Sequence, residues 1–75
     1  MKRELYLYDS HIGGLYLEDE KLDYDDLYCE GCNDSDEYLG VVNTISDIVE
    51  LTKGISYNSK YIEKFIANVK TERGW

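Results

Sequence analysis

Cys29 and Cys32 are the residues best suited to chemistry in this chain. Separated by Glu30 and Gly31, they have the C-x2-C spacing with which one tight turn offers two thiolates to a zinc ion. A closed tetrahedral site needs four ligands. The chain has no second cysteine pair and a single histidine, His11. A complete set within one chain therefore needs His11 plus a carboxylate such as Asp34 or Asp36. The other route is a four-cysteine site shared by two chains. A thioredoxin-type redox pair asks for a strand-to-helix context and a lowered thiol pKa, whereas the nearby acids are expected to raise it. The plainest reading is a turn bent at Gly31, with one sulfur packed inward.

Other chemistry is poorly served. From Asp34, the fifth position is Tyr38 and the sixth is Leu39, where a calcium loop of the EF-hand type needs glycine. Nucleophilic catalysis needs a base beside the nucleophile, and His11 is far in sequence from either cysteine. No phosphate loop or dinucleotide fingerprint is present. An enzyme is not expected, and no cofactor is expected other than zinc in the reading above.

The charge distribution says more. The chain has 75 residues and a net charge of −8. Residues 18–37 carry ten acids (Glu18, Asp19, Glu20, Asp23, Asp25, Asp26, Glu30, Asp34, Asp36 and Glu37) and one base, Lys21. The segments on either side are close to neutral. Such a field repels nucleic acid and membrane surfaces and attracts basic partners. One reading is a solvated face that only aids solubility. The other is a recognition surface in which carboxylates imitate the phosphates of a duplex, while Tyr24, Tyr28 and Tyr38 supply desolvated anchors. The expected partner is then a basic surface on a nucleic-acid-handling protein, met by a monomer or a homodimer.

The elements that must position these groups can be read from periodicity. Glu4–Tyr8 alternates, with Leu5 and Leu7 on one face and Tyr6 and Tyr8 on the other, and Leu15–Glu18 repeats the pattern. Between them Asp9, Ser10 and the Gly13–Gly14 pair predict a hairpin loop, so residues 1–18 form a hairpin. Residues 19–35 are an acidic segment containing the cysteine turn, read as a short helix or an ordered loop with Leu22, Leu27 and Tyr24 turned inward. Residues 36–42 read as a third strand, with Leu39 and Val41 on one face, Tyr38 and Val42 on the other, and Gly40 at a bulge or a close approach.

Two helices follow. The first, 45–53, is introduced by Thr44 and Asp47 at capping-box spacing and carries Ile45, Ile48, Val49 and Thr52 on one face, with Gly54 at its end. The second, 59–71, is capped by Asn58 or Ser59 and has an apolar stripe of Tyr61, Ile62, Phe65, Ile66 and Val69. One small α+β domain spanning 1–75 is expected: a small antiparallel sheet, made of the N-terminal hairpin plus a third strand, covered by the two C-terminal helices. No run approaches the roughly 18 apolar residues of a membrane span. The start "MKRELYLYDS" has no apolar core of a signal peptide. A cytoplasmic protein with reduced thiols is expected.

The stretch "LYCEGCNDSDEYLG", residues 27–40, resembles a pattern in short acidic proteins of phages and prophages of Gram-positive bacteria. There an aromatic residue precedes C-x-x-C, followed by a small residue, then Asp-Ser-Asp and a hydrophobic-Gly pair. The hairpin "LYLYDSHIGGLYL" is similar in style, and the resemblance covers residues 5–42. Asn33 stands where that pattern has glycine, and it also tolerates the left-handed conformation. Small acidic phage proteins include inhibitors of host defence and of host nucleic-acid enzymes, anti-CRISPR proteins among them. By that analogy the resemblance implies a protein that binds and blocks a host nucleic-acid-handling protein inside the bacterial cell.

Overall fold

A computed structural model describes residues 4–75, so residues 1–3 of the expected hairpin lie outside the described part. β1 (Leu5–Asp9) and β2 (Leu15–Glu18) form the hairpin, followed by one helical turn, α1 (Tyr24–Leu27). β3 (Tyr28–Cys29) and β4 (Asp34–Ser35) make a two-stranded ribbon around the cysteine turn. β5 (Glu37–Val42), α2 (Ile45–Thr52) and α3 (Ser59–Arg73) complete the chain. The main sheet is antiparallel in the order β2-β1-β5, as expected for a small α+β domain.

The alternation in β1 separates two packed layers. Leu5 and Leu7 face the helices and join Leu15, Val42, Ile48 and Val69 in the core. Leu5, Leu7, Val42 and Ile48 are sealed from solvent, and each such burial contributes about 1.5–3 kcal/mol. Phe65, Ile62, Ile66 and Tyr61 of α3 pack onto this cluster, as does Trp75.

The opposite face is tyrosine. Tyr8 is fully buried, with its ring 5.4 Å from both Tyr16 and Tyr38. Its hydroxyl accepts a hydrogen bond from the Leu22 backbone N–H at 2.8 Å, which draws the acidic segment across the sheet. Lys21 places its ammonium 5.0 Å from the Tyr38 ring centre, a cation–π contact.

Four local expectations are corrected. In β5 the register slips opposite Leu7 and Tyr8, because Leu7 pairs with Gly40 and Tyr8 with Tyr38, leaving Leu39 bulged between. The bulge rotates the strand. Leu39 and Val42 therefore turn to the helices, while Tyr38 and Val41 lie on the tyrosine face, opposite Tyr8 and Tyr6. A Cβ on Gly40 would stand 2.8 Å from Leu51 Cδ2, so the bulge is also a close approach to α2. On α2 it is Leu51, not Val49, that packs inward, and Val49 is exposed. Gly54 does not take the left-handed conformation; Lys53 stays helical and the chain leaves through tight turns, with Lys53 N–H bonded to Glu50 and Ile55 N–H to Thr52. Tyr24 points to solvent, 67% exposed, and stacks on Tyr28.

The edge of β2 is closed by α3. Tyr61 accepts the Leu15 N–H at 2.7 Å, and the Arg73 guanidinium reaches the Leu17 carbonyl at 3.5 Å and Asp19 at 2.7 Å. Covering an edge in this way removes a template for strand addition.

Candidate metal centre

The hairpin loop, residues 10–14, is tied at both ends. Ser10 donates its N–H to the Gly14 carbonyl at 2.8 Å, and Gly13 and Gly14 take positive φ of 94° and 112°. From the helix side, Tyr57 accepts the Gly14 N–H at 2.5 Å and donates to Asp9 at 2.6 Å. This loop carries His11. Because β1 and β5 run antiparallel, with Asp9 opposite Glu37, the loop leaving β1 lies beside the residues entering β5. Asp36 is the last of these. Its Oδ1 accepts the His11 backbone N–H at 3.0 Å and faces His11 Nδ1 at 2.5 Å, and its Oδ2 accepts the Tyr16 hydroxyl at 2.5 Å.

Across from the loop, the β3–β4 ribbon presents the cysteines. Asn33 turns the chain with φ of 53°, and its side chain accepts the Tyr28 hydroxyl at 2.8 Å. Asp36 N–H bonds the Leu27 carbonyl at 2.9 Å, which joins the base of the ribbon to the start of β5. Neither cysteine is in a disulfide; Cys29 is half-buried and Cys32 exposed.

These two segments bring three donors together. One ligand atom each from His11, Cys29 and Cys32 lies within 4.8 Å of the others. Two thiolates on one zinc, each about 2.3 Å from it, are about 3.8 Å apart in tetrahedral geometry, so a contraction of an ångström or less would seat the ion. Since Asp36 holds Nδ1, Nε2 is the ring nitrogen left for the metal. A carboxylate that fixes the ring of a ligating histidine is the usual second layer of such sites.

The electrostatics agree with the geometry. The Cys29 thiol is held below its ordinary pKa, first by hydrogen bonds from the Cys32 thiol and Cys32 N–H, then by His11. The acids were expected to raise the pKa of both thiols. Cys32 is indeed raised, but first by its bond to Cys29, then by burial and the charge of Cys29, with Asp34 the smallest cause; Cys29 moves the opposite way. His11 is raised above its usual value, mainly by Asp36 and against burial. Asp36 is pulled below the usual carboxylate range by the Tyr16 hydroxyl and then by His11.

Asp36 therefore stands apart from the acidic surface to which its position in the sequence assigned it. Asp19, Glu20, Asp23, Asp25, Asp26, Glu30, Asp34 and Glu37 are exposed, and Glu18 is half-buried at the end of β2. Tyr24 and Tyr38 are exposed and Tyr28 is half-buried. His11 is far from the cysteines in sequence, and only the ligand count points to it as a partner for them. Tyr16 was read simply as a strand residue, and the signal that points to it is its place opposite Tyr8, on the face where Asp36 enters β5. Among the described residues no helix is long and apolar enough to cross a membrane. No protein-family model matches the chain, and comparison with curated proteins and with solved structures found no match.

Proposed function

We propose that this chain is a small zinc-binding module in which Cys29, Cys32 and His11 hold the ion and Asp36 orients the histidine. The observation that carries this reading is the meeting of three donors from two distant segments, with a carboxylate already bonded to the far side of the imidazole. The two thiolates neutralise the ion, and the neutral imidazole completes a set suited to zinc. Bound metal would staple the hairpin loop to the cysteine ribbon, adding to the bonds by which Asp36 already holds His11. In a domain of this size such a staple is a substantial part of stability. The reading places the protein in a reducing cytoplasm, where paired thiols serve as ligands.

The test is metal analysis of protein purified without added zinc, followed by thermal melting with and without a chelator. The expected result is one zinc per chain, a lower melting temperature after chelation, and loss of both in Cys29→Ser/Cys32→Ser. Metal-free protein that melts identically in chelator overturns the reading.

A second reading is favoured by the exposure of the acids. With Asp36 set aside, the carboxylates from Asp19 to Glu37 are exposed, as is the Tyr24 ring. We propose that this face binds the basic surface of a nucleic-acid-handling protein, in the manner of a phage-encoded inhibitor that mimics DNA. Both readings are compatible, because the ribbon that holds the cysteines also carries Glu30 and Asp34.

A further inference from the structure

We propose that the ion held by His11, Cys29 and Cys32 keeps a fourth coordination position open to an exchangeable neutral donor from solution, a nitrogen or sulfur base. This rests on the zinc reading and specifies what the site takes. Among the described residues, the cluster contains three donors and no fourth. Asp36, the obvious fourth ligand by sequence, is committed: Oδ1 serves the His11 backbone and ring, and Oδ2 serves the Tyr16 hydroxyl. Turning it to the metal would break the bonds that aim the histidine. Asp34 accepts the Ser35 N–H at 2.8 Å; its charge reaches Cys32, but its carboxylate stays outside the cluster.

Cys32 is exposed, so the cluster lies where a solute can reach it. Three protein ligands and one exchangeable position are the pattern of zinc sites that act on or bind small molecules, whereas structural sites close with four. Charge then selects the ligand. A divalent ion with two thiolates and a neutral imidazole is formally uncharged and exerts little pull on an anion. Glu30 and Asp34 flank the turn, inside a segment of ten acids and one base, so anions are repelled from its approach. A second copy of this chain, with net charge −8, is repelled as well. Neutral donors are not.

The experiment uses the full chain loaded with cobalt(II), whose visible spectrum reports its ligands, titrated separately with imidazole and with azide at neutral pH. The expected result is one cobalt per chain and a saturable spectral change with imidazole, while azide needs about tenfold or more higher concentration for half-saturation. In Asp34→Asn the spectrum without added ligand is expected to be unchanged. A spectrum insensitive to imidazole, equal affinity for azide, one cobalt per two chains, or an altered spectrum in Asp34→Asn each overturns the open, neutral-selective position while the zinc reading stands. Failure to bind cobalt or zinc at all overturns both.

Discussion

Asp36 Oδ1 bonds both the backbone N–H and the ring Nδ1 of His11, a residue on a different hairpin. One carboxylate thus fixes where the histidine's main chain sits and which way its ring points. Hydrogen bonds from the Tyr16 hydroxyl and then His11 pull its pKa below the usual carboxylate range, against the raising effect of its partial burial, so it stays charged at neutral pH.

Replacing that carboxylate should therefore act on the metal without touching a ligand. Asp36→Asn is expected to lower zinc affinity by about 10–100-fold, as loss of an orienting partner does elsewhere. Competition with a chromophoric chelator measures it. An unchanged affinity would show that the Asp36–His11 bond has no part in binding.

The β5 bulge predicts a coupled pair. A methyl group on Gly40 meets Leu51 Cδ2 at 2.8 Å and Cδ1 at 3.0 Å, at a backbone φ of 153°. Gly40→Ala is expected to destabilise the fold by about 1–3 kcal/mol. In a double-mutant cycle with Leu51→Ala the two losses should fall short of additivity by about 0.5–3 kcal/mol, read from denaturant melts. Strict additivity would place the cost in the backbone alone.

The acidic face makes a separable prediction. Asp23→Asn, Asp25→Asn, Asp26→Asn and Asp34→Asn together should abolish salt-sensitive capture of a basic nucleic-acid-binding partner from a bacterial lysate. Zinc content should not change, and the melting temperature should hold or rise as like charges are removed. Capture that survives the four changes would assign recognition to another surface.

Tyr57 supplies a pH dependence remote from the metal. Burial and then Asp9 raise its pKa above the ordinary 10.0, against the lowering effect of the Gly14 N–H; Asp9 and the stacked Tyr61 are the titratable groups facing it. The folded state then holds this proton more tightly than the unfolded chain. Its contribution is complete below pH 10 and is lost as pH rises through the folded value. Tyr57→Phe should destabilise the protein at neutral pH, by about 1–3 kcal/mol for the unpaired partners, and flatten the alkaline decline. Urea melts from pH 8 to pH 11 would expose a parallel decline in both proteins, the outcome that rejects the assignment.

Much of the architecture was legible because it depends on local rules. The alternation of Leu5 to Tyr8 and of Leu15 to Glu18 gives the hairpin, and the 3.6-residue stripe from Tyr61 to Val69 gives the long helix. Asp47 caps α2 by accepting the Thr44 and Asn43 N–H groups, and Asn58 caps α3. The faces of β5 were not legible. A single bulged residue inverts the alternation, and that bulge is set by β1 and by Leu51, both distant in sequence.

Composition and spacing alone determined that residues 18–37 form an acidic surface and that Cys29 and Cys32 share one turn, since both are properties of neighbours along the chain. Only the tertiary structure decided which acid leaves that surface and that His11 meets the thiols. Antiparallel pairing of β1 with β5 brings the loop after one strand to the residue before the other. Position along the chain put Asp36 among the exposed carboxylates; the register of the sheet turned it inward, onto His11 and Tyr16.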